Sequence, residues 1–229
     1  TPQLPLSLRH APDQRLESFV GAPDGALAQL RALARQPGAD WLYVAGAAGT
    51  GKTHLALAVC AEAGLAGRPV SYLPLAAVAG HLGEALEAAR HSALAVLDGL
   101  EAIAGSRDDE VALFEFHNRA RAEGRGVLYL GTVAPAALLL CLPDLRSRLG
   151  QCTRITLGVL DDDGRRQVLR GRARRRGLVL EEAAIDWLLT RTGRDLGQLL
   201  PLLDRIDRES LAAQRRVTVP FLRKALGLD

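Results

Sequence analysis

The amino-acid sequence predicts an α/β domain with a parallel sheet, followed by a smaller domain made only of helices. Up to residue 158, short apolar stretches without alternating polar residues are separated by segments with helical periodicity. Strands of this kind are typical of a parallel sheet whose two faces are both covered by helices. Beyond that residue only helical patterns remain. We therefore predict an extended tail at residues 1–12, the α/β domain at residues 13–158 and the helical domain at residues 159–229.

The α/β domain is predicted to contain five strands and four main helices. The predicted strands are residues 41–45, a strand that ends near residue 75, and residues 93–97, 127–130 and 155–157. The predicted helices are residues 25–35, 54–63, 77–90 and 108–123. The first of them places Leu27, Leu30 and Leu33 on one face, which is the pattern of a helix that packs on a core.

The helical domain is predicted to contain four helices, at residues 161–176, 181–191 and 195–213 and from residue 218 onward. Three aspartates at residues 161–163 favour a helix start, and Gly177 favours its end. Pro201 lies inside the third helix and predicts a bend, because proline removes a helical hydrogen bond.

Composition excludes several classes of protein. A net charge of +3 is too small to indicate a nucleic-acid-binding protein by itself. Cys60, Cys141 and Cys152 are odd in number and form no C-x-x-C pair, which argues against a disulfide framework or a zinc site. Neither a signal peptide nor a stretch of membrane-spanning length is apparent. We expect a soluble cytoplasmic protein.

Residues 46–53 match the phosphate-binding loop pattern G-x-x-x-x-G-K-[ST] at every specified position. A predicted strand precedes this loop and a predicted helix follows it, so backbone N–H groups and a helix N-terminus would face the phosphates. Lys52 would reach the β- and γ-phosphates, and Thr53 would place its hydroxyl on Mg²⁺. The predicted nucleotide-binding residues of this segment are Gly46, Ala47, Ala48, Gly49, Thr50, Gly51, Lys52, Thr53 and His54.

Three further positions are candidates for chemistry. Asp98 ends a buried strand and is predicted to hold the Mg²⁺ shell. The next residue is Gly99, where many ATPases place a water-activating carboxylate, and Glu101 two positions later need not face the same way. We therefore expect slow hydrolysis by this chain. Thr132 follows another strand and either contacts the γ-phosphate or the attacking water, or is simply a polar residue in a turn.

Arginines offer two further interpretations. Arg148 lies before a predicted turn near the domain edge, where it is either a solvated surface residue or a group that reaches a nucleotide on a neighbouring protomer. Seven arginines between residues 164 and 177 form either a solvated helix or a nucleic-acid patch. The absence of interleaved aromatic residues favours the solvated helix.

The N-terminal tail alternates leucine with other residues, and its prolines exclude a stable helix. In an extended peptide this period places Leu4, Leu6 and Leu8 on one side. Such a tail would dock in a hydrophobic groove, either on its own domain or on a partner.

Together, the phosphate loop, Asp98, Thr132, Arg148 and the helical lid resemble the AAA+ ATPases. The segment GAAGTGKTHL and residues 16–21 resemble the DnaA-related family, and residues 142–149 and 214–221 resemble its Hda branch. The tail matches the Q-L-x-L-x-L form of the sliding-clamp-binding motif at Gln3, Leu4, Leu6 and Leu8.

This resemblance implies a regulatory function. An Hda-like protein carries ADP or ATP with Mg²⁺ and docks on the DNA-loaded sliding clamp, the β subunit of DNA polymerase III. It stimulates ATP hydrolysis by DnaA and prevents re-initiation of replication. The resemblance makes Arg148 an arginine finger in trans and Thr132 the sensor 1 residue, and it places Phe19 and Val20 against the adenine.

Two positions depart from the family pattern. Gly99 replaces the initiator's second Walker B acid, and Gly197 replaces the sensor 2 arginine. The sensor 2 role is then lost, unless Arg194, one helical turn away, takes it over. Both departures favour a nucleotide-holding partner over an independent motor. The alternatives are an autonomous DnaA-like or helicase-loader ATPase that acts on DNA, and a clamp-binding module whose nucleotide only stabilises the fold.

Overall fold

The computed structural model describes residues 14–191, 202–203, 205–206 and 217–226. The chain divides after Val159 into two compact units. The first unit contains the sheet and the second contains the C-terminal helices, and each is described by itself. The predicted tail and most of the predicted third helix of the second unit, including the expected bend at Pro201, lie outside the described residues.

The first unit contains one five-stranded sheet, as the sequence predicts. All neighbouring strands pair in parallel, and their order is β2-β3-β4-β1-β5. The strands are β1 (Leu42–Ala45), β2 (Val70–Pro74), β3 (Leu94–Asp98), β4 (Gly126–Gly131) and β5 (Thr153–Thr156).

Helices cover both faces of this sheet. They are α1 (Ala26–Arg35), α2 (Lys52–Leu65), α3 (Leu82–Ala88), α4 (Arg107–Ala122) and α5 (Pro143–Gly150). Short 3₁₀ turns occur at Leu16–Ser18, Leu75–Ala77, Leu100–Ala102 and Pro135–Ala137.

Alternate strand residues enter two separate hydrophobic clusters, one on each face of the sheet. Leu42 and Val44 of β1 pack with α1 and α2, whereas Tyr43 of the same strand packs on the opposite face with residues of α3 and α4. Every residue of β1, β3 and β4 is buried. Burial on both faces explains why these strands lack polar alternation.

Two helices differ from the prediction. The helix predicted at residues 77–90 is shorter, because Gly80 adopts a left-handed φ of 83° and the chain forms a 3₁₀ turn before it. Asp109 holds this bend by accepting hydrogen bonds from the backbone N–H groups of Gly80 and Leu82, at 2.7 and 3.2 Å. Helix α5 was not predicted, although Pro143 at its first turn is a favourable start.

A buried histidine lies between α4 and the sheet. His117 is 2% exposed, its Nδ1 is 3.0 Å from the hydroxyl of Tyr129, and its ring meets Trp41 edge-on at 4.7 Å. Burial, and to a smaller extent the positive charges of Arg121 and Arg148, lowers the pKa of His117 to about 4. The folded protein therefore keeps this ring neutral under mildly acidic conditions.

Because of His117, we expect the free energy of unfolding to fall by about 2 kcal/mol when the pH is lowered from 7 to 5. The unfolded chain takes up the proton near the ordinary pKa of 6.5, but the folded chain takes it up only near 4, so acid favours unfolding. Urea unfolding at the two pH values measures this loss. The variant H117Q should lack this part of the decrease, and H81Q, at an exposed position, should keep it. The same pH dependence in all three proteins would contradict the assignment.

The second unit contains α6 (Asp162–Arg175), α7 (Glu182–Arg191) and α8 (Val219–Leu226). The side chain of Asp161 caps α6 by accepting the N–H of Gly164 at 2.7 Å, and Gly177 follows that helix with a φ of 72°. Both features agree with the predicted start and end. The helices pack around a hydrophobic cluster that includes Leu169, Leu188 and Leu222.

The arginines of α6 lie among carboxylates of the same unit. Three of them form ion pairs: Arg165 with Asp162, Arg166 with Asp186, and Arg170 with Glu182. These pairs are partly or largely exposed, so each contributes little to stability. They support the interpretation of α6 as a solvated helix.

Candidate nucleotide-binding site

The predicted site residues of the first unit meet at the carboxyl edge of the sheet. The phosphate loop follows β1, Asp98 is the last residue of β3, and Thr132 follows β4. Because β1, β3 and β4 are parallel and β4 lies between the other two, these segments leave the sheet side by side. Ligands of open parallel sheets bind at this edge.

Glycines allow the phosphate loop its tight course. Gly49 and Gly51 have left-handed φ values of 79° and 91°, which other residues rarely adopt. A Cβ atom on Gly51 would lie 2.7 Å from the ring of Phe19, and one on Gly46 would lie 2.5 Å from Oγ1 of Thr50. The loop leads directly into α2, whose first residue is Lys52. The helix therefore begins two residues earlier than predicted, with its N-terminus at the loop.

Lys52 lies inside the loop. Its side chain is buried, and Nζ donates hydrogen bonds to the carbonyl oxygens of Gly46 and Ala47 at 2.5 and 2.9 Å. Burial lowers the pKa of Lys52, while the nearby charges of Glu101 and Asp98 oppose that shift. A buried ammonium group beside the backbone N–H groups of a loop and a helix N-terminus suits a phosphate-bearing ligand.

Thr53 and Asp98 meet next to the loop. Oγ1 of Thr53 donates to Oδ2 of Asp98 at 2.7 Å, and the hydroxyl of Tyr72 donates to the same oxygen at 3.0 Å. Burial raises the pKa of Tyr72, and the charge of Asp98 raises it further, so this phenol remains a donor. The pairing of one hydroxyl with one carboxylate fits Mg²⁺, which takes one or two protein ligands together with substrate phosphates.

No cluster of three or more His, Cys, Asp or Glu side chains that could hold a metal occurs in the part of the chain that the structure describes. A metal ion at this edge would therefore depend on the phosphates of a ligand for most of its coordination. This is the usual situation for Mg²⁺ in phosphoryl-transfer sites.

An aromatic side chain covers the outer side of the loop. Phe19 lies against Gly51 and meets the ring of His54 edge-on at 5.6 Å. Nε2 of His54 is 3.1 Å from the carbonyl oxygen of Arg15, so α2 and the segment before α1 are joined here. Phe19 and Val20 are both partly buried. The segment that was predicted to contact an adenine therefore does lie beside the phosphate loop.

Thr132 is held by Glu101. The backbone N–H of Thr132 donates to Oε2 of Glu101 at 3.0 Å, across the carboxyl ends of β3 and β4. Glu101 was not assigned to the site from the sequence, because the direction of a side chain two residues after Gly99 was open. The structure turns it toward the end of β4, and its charge partly opposes the burial that lowers the pKa of Lys52.

Arg148 lies on α5, outside the phosphate loop. Its side chain is exposed, and it makes no hydrogen bond or ion pair with any residue that the structure describes. By contrast, Arg146 on the same helix donates to the carbonyl oxygen of Leu140 at 2.6 Å. No hydrogen bond joins Arg148 to the loop within the described residues, so its guanidinium remains available to another molecule.

A buried carboxylate that was not predicted supports the start of α5. Glu110 is 0% exposed and accepts hydrogen bonds from the N–H groups of Gly105, Cys141 and Leu142, at 2.8, 3.0 and 2.7 Å. Leu142 immediately precedes α5. The sequence signal was an acid in the first turn of a helix, which indicates a surface charge more often than a tertiary contact.

Five predicted site residues lie outside the described residues. They are the tail residues Gln3, Leu4, Leu6 and Leu8, and Arg194 of the predicted third helix of the second unit.

Comparison with solved structures identifies the fold. Domain III of the replication initiation protein DnaA from Thermotoga maritima has a TM-score of 0.79 at 18% identity, over 95% of this chain and 97% of that one. AMPPCP-bound DnaA from Aquifex aeolicus has a TM-score of 0.70 at 23% identity, over 86% and 66% of the two chains. The RuvB Holliday junction branch migration motor of Thermotoga maritima has a TM-score of 0.67 at 18% identity, over 94% and 72%.

The family comparison concerns the second unit. Residues 162–226 match the family model described as "Hda, lid domain". The five-stranded parallel sheet, its phosphate loop and the structural likenesses define an AAA+ fold. The first unit therefore has the fold of DnaA domain III, and residues 162–226 are similar to an Hda-type lid domain. None of the described helices is long and apolar enough to cross a membrane.

Proposed function

We propose that this chain is a regulatory inactivator of the replication initiator DnaA. In this role it holds an adenine nucleotide, docks on the DNA-loaded sliding clamp and stimulates ATP hydrolysis by DnaA. The observation that carries the proposal is the Hda-type lid at residues 162–226 on a DnaA-like AAA+ unit. The proposed outcome is that replication does not re-initiate, and the proposed location is the cytoplasm, at the nucleoid.

Nucleotide binding rests on the phosphate loop. The neighbouring structures include DnaA proteins bound to AMPPCP. The loop of this chain provides an ammonium group, backbone N–H groups and a helix N-terminus, which suit a ligand of the same kind. When bound, the nucleotide supplies the negative charge that Lys52 is placed to neutralise. Thr53 and Asp98 are the residues that would hold Mg²⁺, and Phe19 and Val20, which lie beside the loop, would cover the base.

Stimulation of a partner rests on Arg148. An exposed arginine without an ion-pair partner in the described chain has no evident stabilising role. Presented to the nucleotide of a bound DnaA molecule, its planar guanidinium would stabilise negative charge on the transferring phosphoryl group. Thr132 would act as sensor 1 in the chain's own nucleotide site.

Clamp docking rests on the sequence of the tail. Gln3, Leu4, Leu6 and Leu8 fit a peptide that enters a hydrophobic pocket on the clamp, with its alternate side chains on one side. Through the clamp, the chain would be concentrated on DNA without a nucleic-acid site of its own.

A reconstitution with DnaA, DNA-loaded clamp and labelled ATP tests the proposal. We expect this chain to stimulate ATP hydrolysis by DnaA, and we expect the stimulation to depend on the clamp. The double variant L6A/L8A should retain nucleotide binding but lose clamp binding, and its stimulation should fall to the level seen without clamp. Full stimulation in the absence of clamp, or by the tail variant, would contradict the docking step.

The same assay separates the alternatives. An autonomous DNA-dependent ATPase would show rapid turnover with DNA alone, without DnaA. A clamp-binding module with a purely structural nucleotide would bind the clamp and leave DnaA hydrolysis unchanged. Either result would overturn the proposed function.

A further inference from the structure

The carboxyl edge of the sheet contains an acid, Glu101, that takes part neither in the phosphate loop nor in the pairing of Thr53 with Asp98. Asp98 is engaged by Thr53 and Tyr72, and Gly99 has no side chain. Glu101 is exposed, yet its carboxylate is directed to the end of β4. An exposed glutamate loses side-chain entropy when it is held in one place, so its position between two site residues requires an explanation.

Local backbone geometry places Glu101 there. Gly99 adopts a left-handed conformation with φ 92° and ψ 53°, which turns the chain sharply after β3. The N–H of Ala102 then closes a turn on the carbonyl oxygen of Gly99 at 2.9 Å, and the side chain of Leu100 is fully buried beneath it. The turn therefore has a fixed anchor, and Glu101 projects from it.

The two carboxylate oxygens of Glu101 have different surroundings. Oε2 accepts the N–H of Thr132 at 3.0 Å, whereas Oε1 accepts no hydrogen bond from the residues that the structure describes. The charge of Glu101 acts on Lys52, which lies in the phosphate loop. One oxygen is thus fixed by Thr132, and the other has no hydrogen-bond partner among the described residues at the sheet edge from which the phosphate loop also leaves.

We propose that Glu101 is the water-activating carboxylate of this chain and that the chain hydrolyses its own bound nucleoside triphosphate. The function that the Gly99 position lacks is supplied two residues later, through the left-handed turn. This inference rests on the nucleotide binding in the proposed function, to which it adds hydrolysis of the bound nucleotide by the chain itself.

The step is a hydrolysis with water as the only co-reactant. The water oxygen forms a bond to the γ-phosphorus, and the bond from that phosphorus to the oxygen shared with the β-phosphate breaks with its electron pair on the diphosphate. Oε1 of Glu101 accepts the proton that the attacking water loses and returns it to solvent after inorganic phosphate forms. Thr132 keeps the carboxylate in position through its backbone N–H.

The test is the variant E101Q, measured by single-turnover hydrolysis of ATP and separately by equilibrium binding of ATP. Glutamine retains an acceptor oxygen for the N–H of Thr132 but does not accept a proton at neutral pH. We expect the hydrolysis rate to fall by about 100-fold or more, which is typical of the loss of a general base, with ATP affinity unchanged. The matched control is E115Q, at an exposed glutamate of α4, which should keep the wild-type rate.

Background hydrolysis is given by K52A, which removes the phosphate-binding ammonium. Wild-type protein that binds ATP but hydrolyses it no faster than this background would overturn the inference, and so would E101Q that hydrolyses ATP at the wild-type rate. Failure of the wild-type protein to bind ATP would instead refute the nucleotide-binding part of the proposed function. The two failures are therefore distinguishable.

Discussion

Replacing Arg148 with alanine is expected to abolish the stimulation of DnaA hydrolysis, a loss on the order of 10³-fold in rate where stimulation is complete. The guanidinium is exposed and has no partner among the described residues, so its removal should leave the unit folded. An arginine finger acts in the transition state of the partner's reaction, so binding of DnaA and of the clamp should change little. Labelled ATP hydrolysis by DnaA, with clamp binding measured in parallel, checks both expectations.

Two further variants make this result specific. R148K keeps the positive charge but loses the planar two-pronged donor, so most of the stimulation should still be lost. R154A removes another exposed arginine, on β5 of the same unit, and should stimulate normally. Stimulation retained by R148A, or lost equally in R148A and R154A, would refute the assignment of the finger.

Sequence patterns predict most of the fold because the strands of this sheet are buried on both faces. Continuous apolar stretches at β1, β3 and β4 have few other interpretations in a soluble domain, and the phosphate loop then fixes which strand comes first. Helix α3 was predicted too long because Gly80 and the distant carboxylate of Asp109 bend the chain together. Such a contact across 29 residues has no local signal.

The candidate site residues that a motif or a strand end determines could be predicted from the sequence, whereas a residue positioned by a turn was missed. Lys52, Thr53 and Asp98 follow from a motif and a strand end, and the structure brings them together. The direction of Glu101 could not be predicted without the left-handed conformation of Gly99, because the backbone angles of that residue determine which way the following side chains project. The alternation of side-chain directions along β3 does not continue beyond Asp98, so it does not predict where Glu101 points.

Replacing Glu110 with alanine is the second change with a large expected effect: we expect the free energy of unfolding of the first unit to fall by about 3 kcal/mol or more. This carboxylate is fully buried, and its removal leaves the N–H groups of Gly105, Cys141 and Leu142 without their acceptor in the interior. Urea unfolding at neutral pH measures the change. The control is D108A, an exposed acid in the same first turn of α4, which should lose only about 0.3–1 kcal/mol through the helix dipole.

Equal losses in these two variants would show that Glu110 acts only through the helix dipole. The conservative variant E110Q separates stability from function. Its amide oxygen can still accept some of these three backbone hydrogen bonds, whereas its N–H₂ group would face the remaining N–H donors. Since Cys141 and Leu142 lead directly into α5, a folded E110Q protein should stimulate DnaA less than wild type although Arg148 is unchanged. Its ATP affinity should stay at the wild-type level, because Glu110 makes no hydrogen bond to the phosphate loop within the described residues. In the proposed function, the position of Arg148 would thus depend on a buried acid that belongs to a different helix.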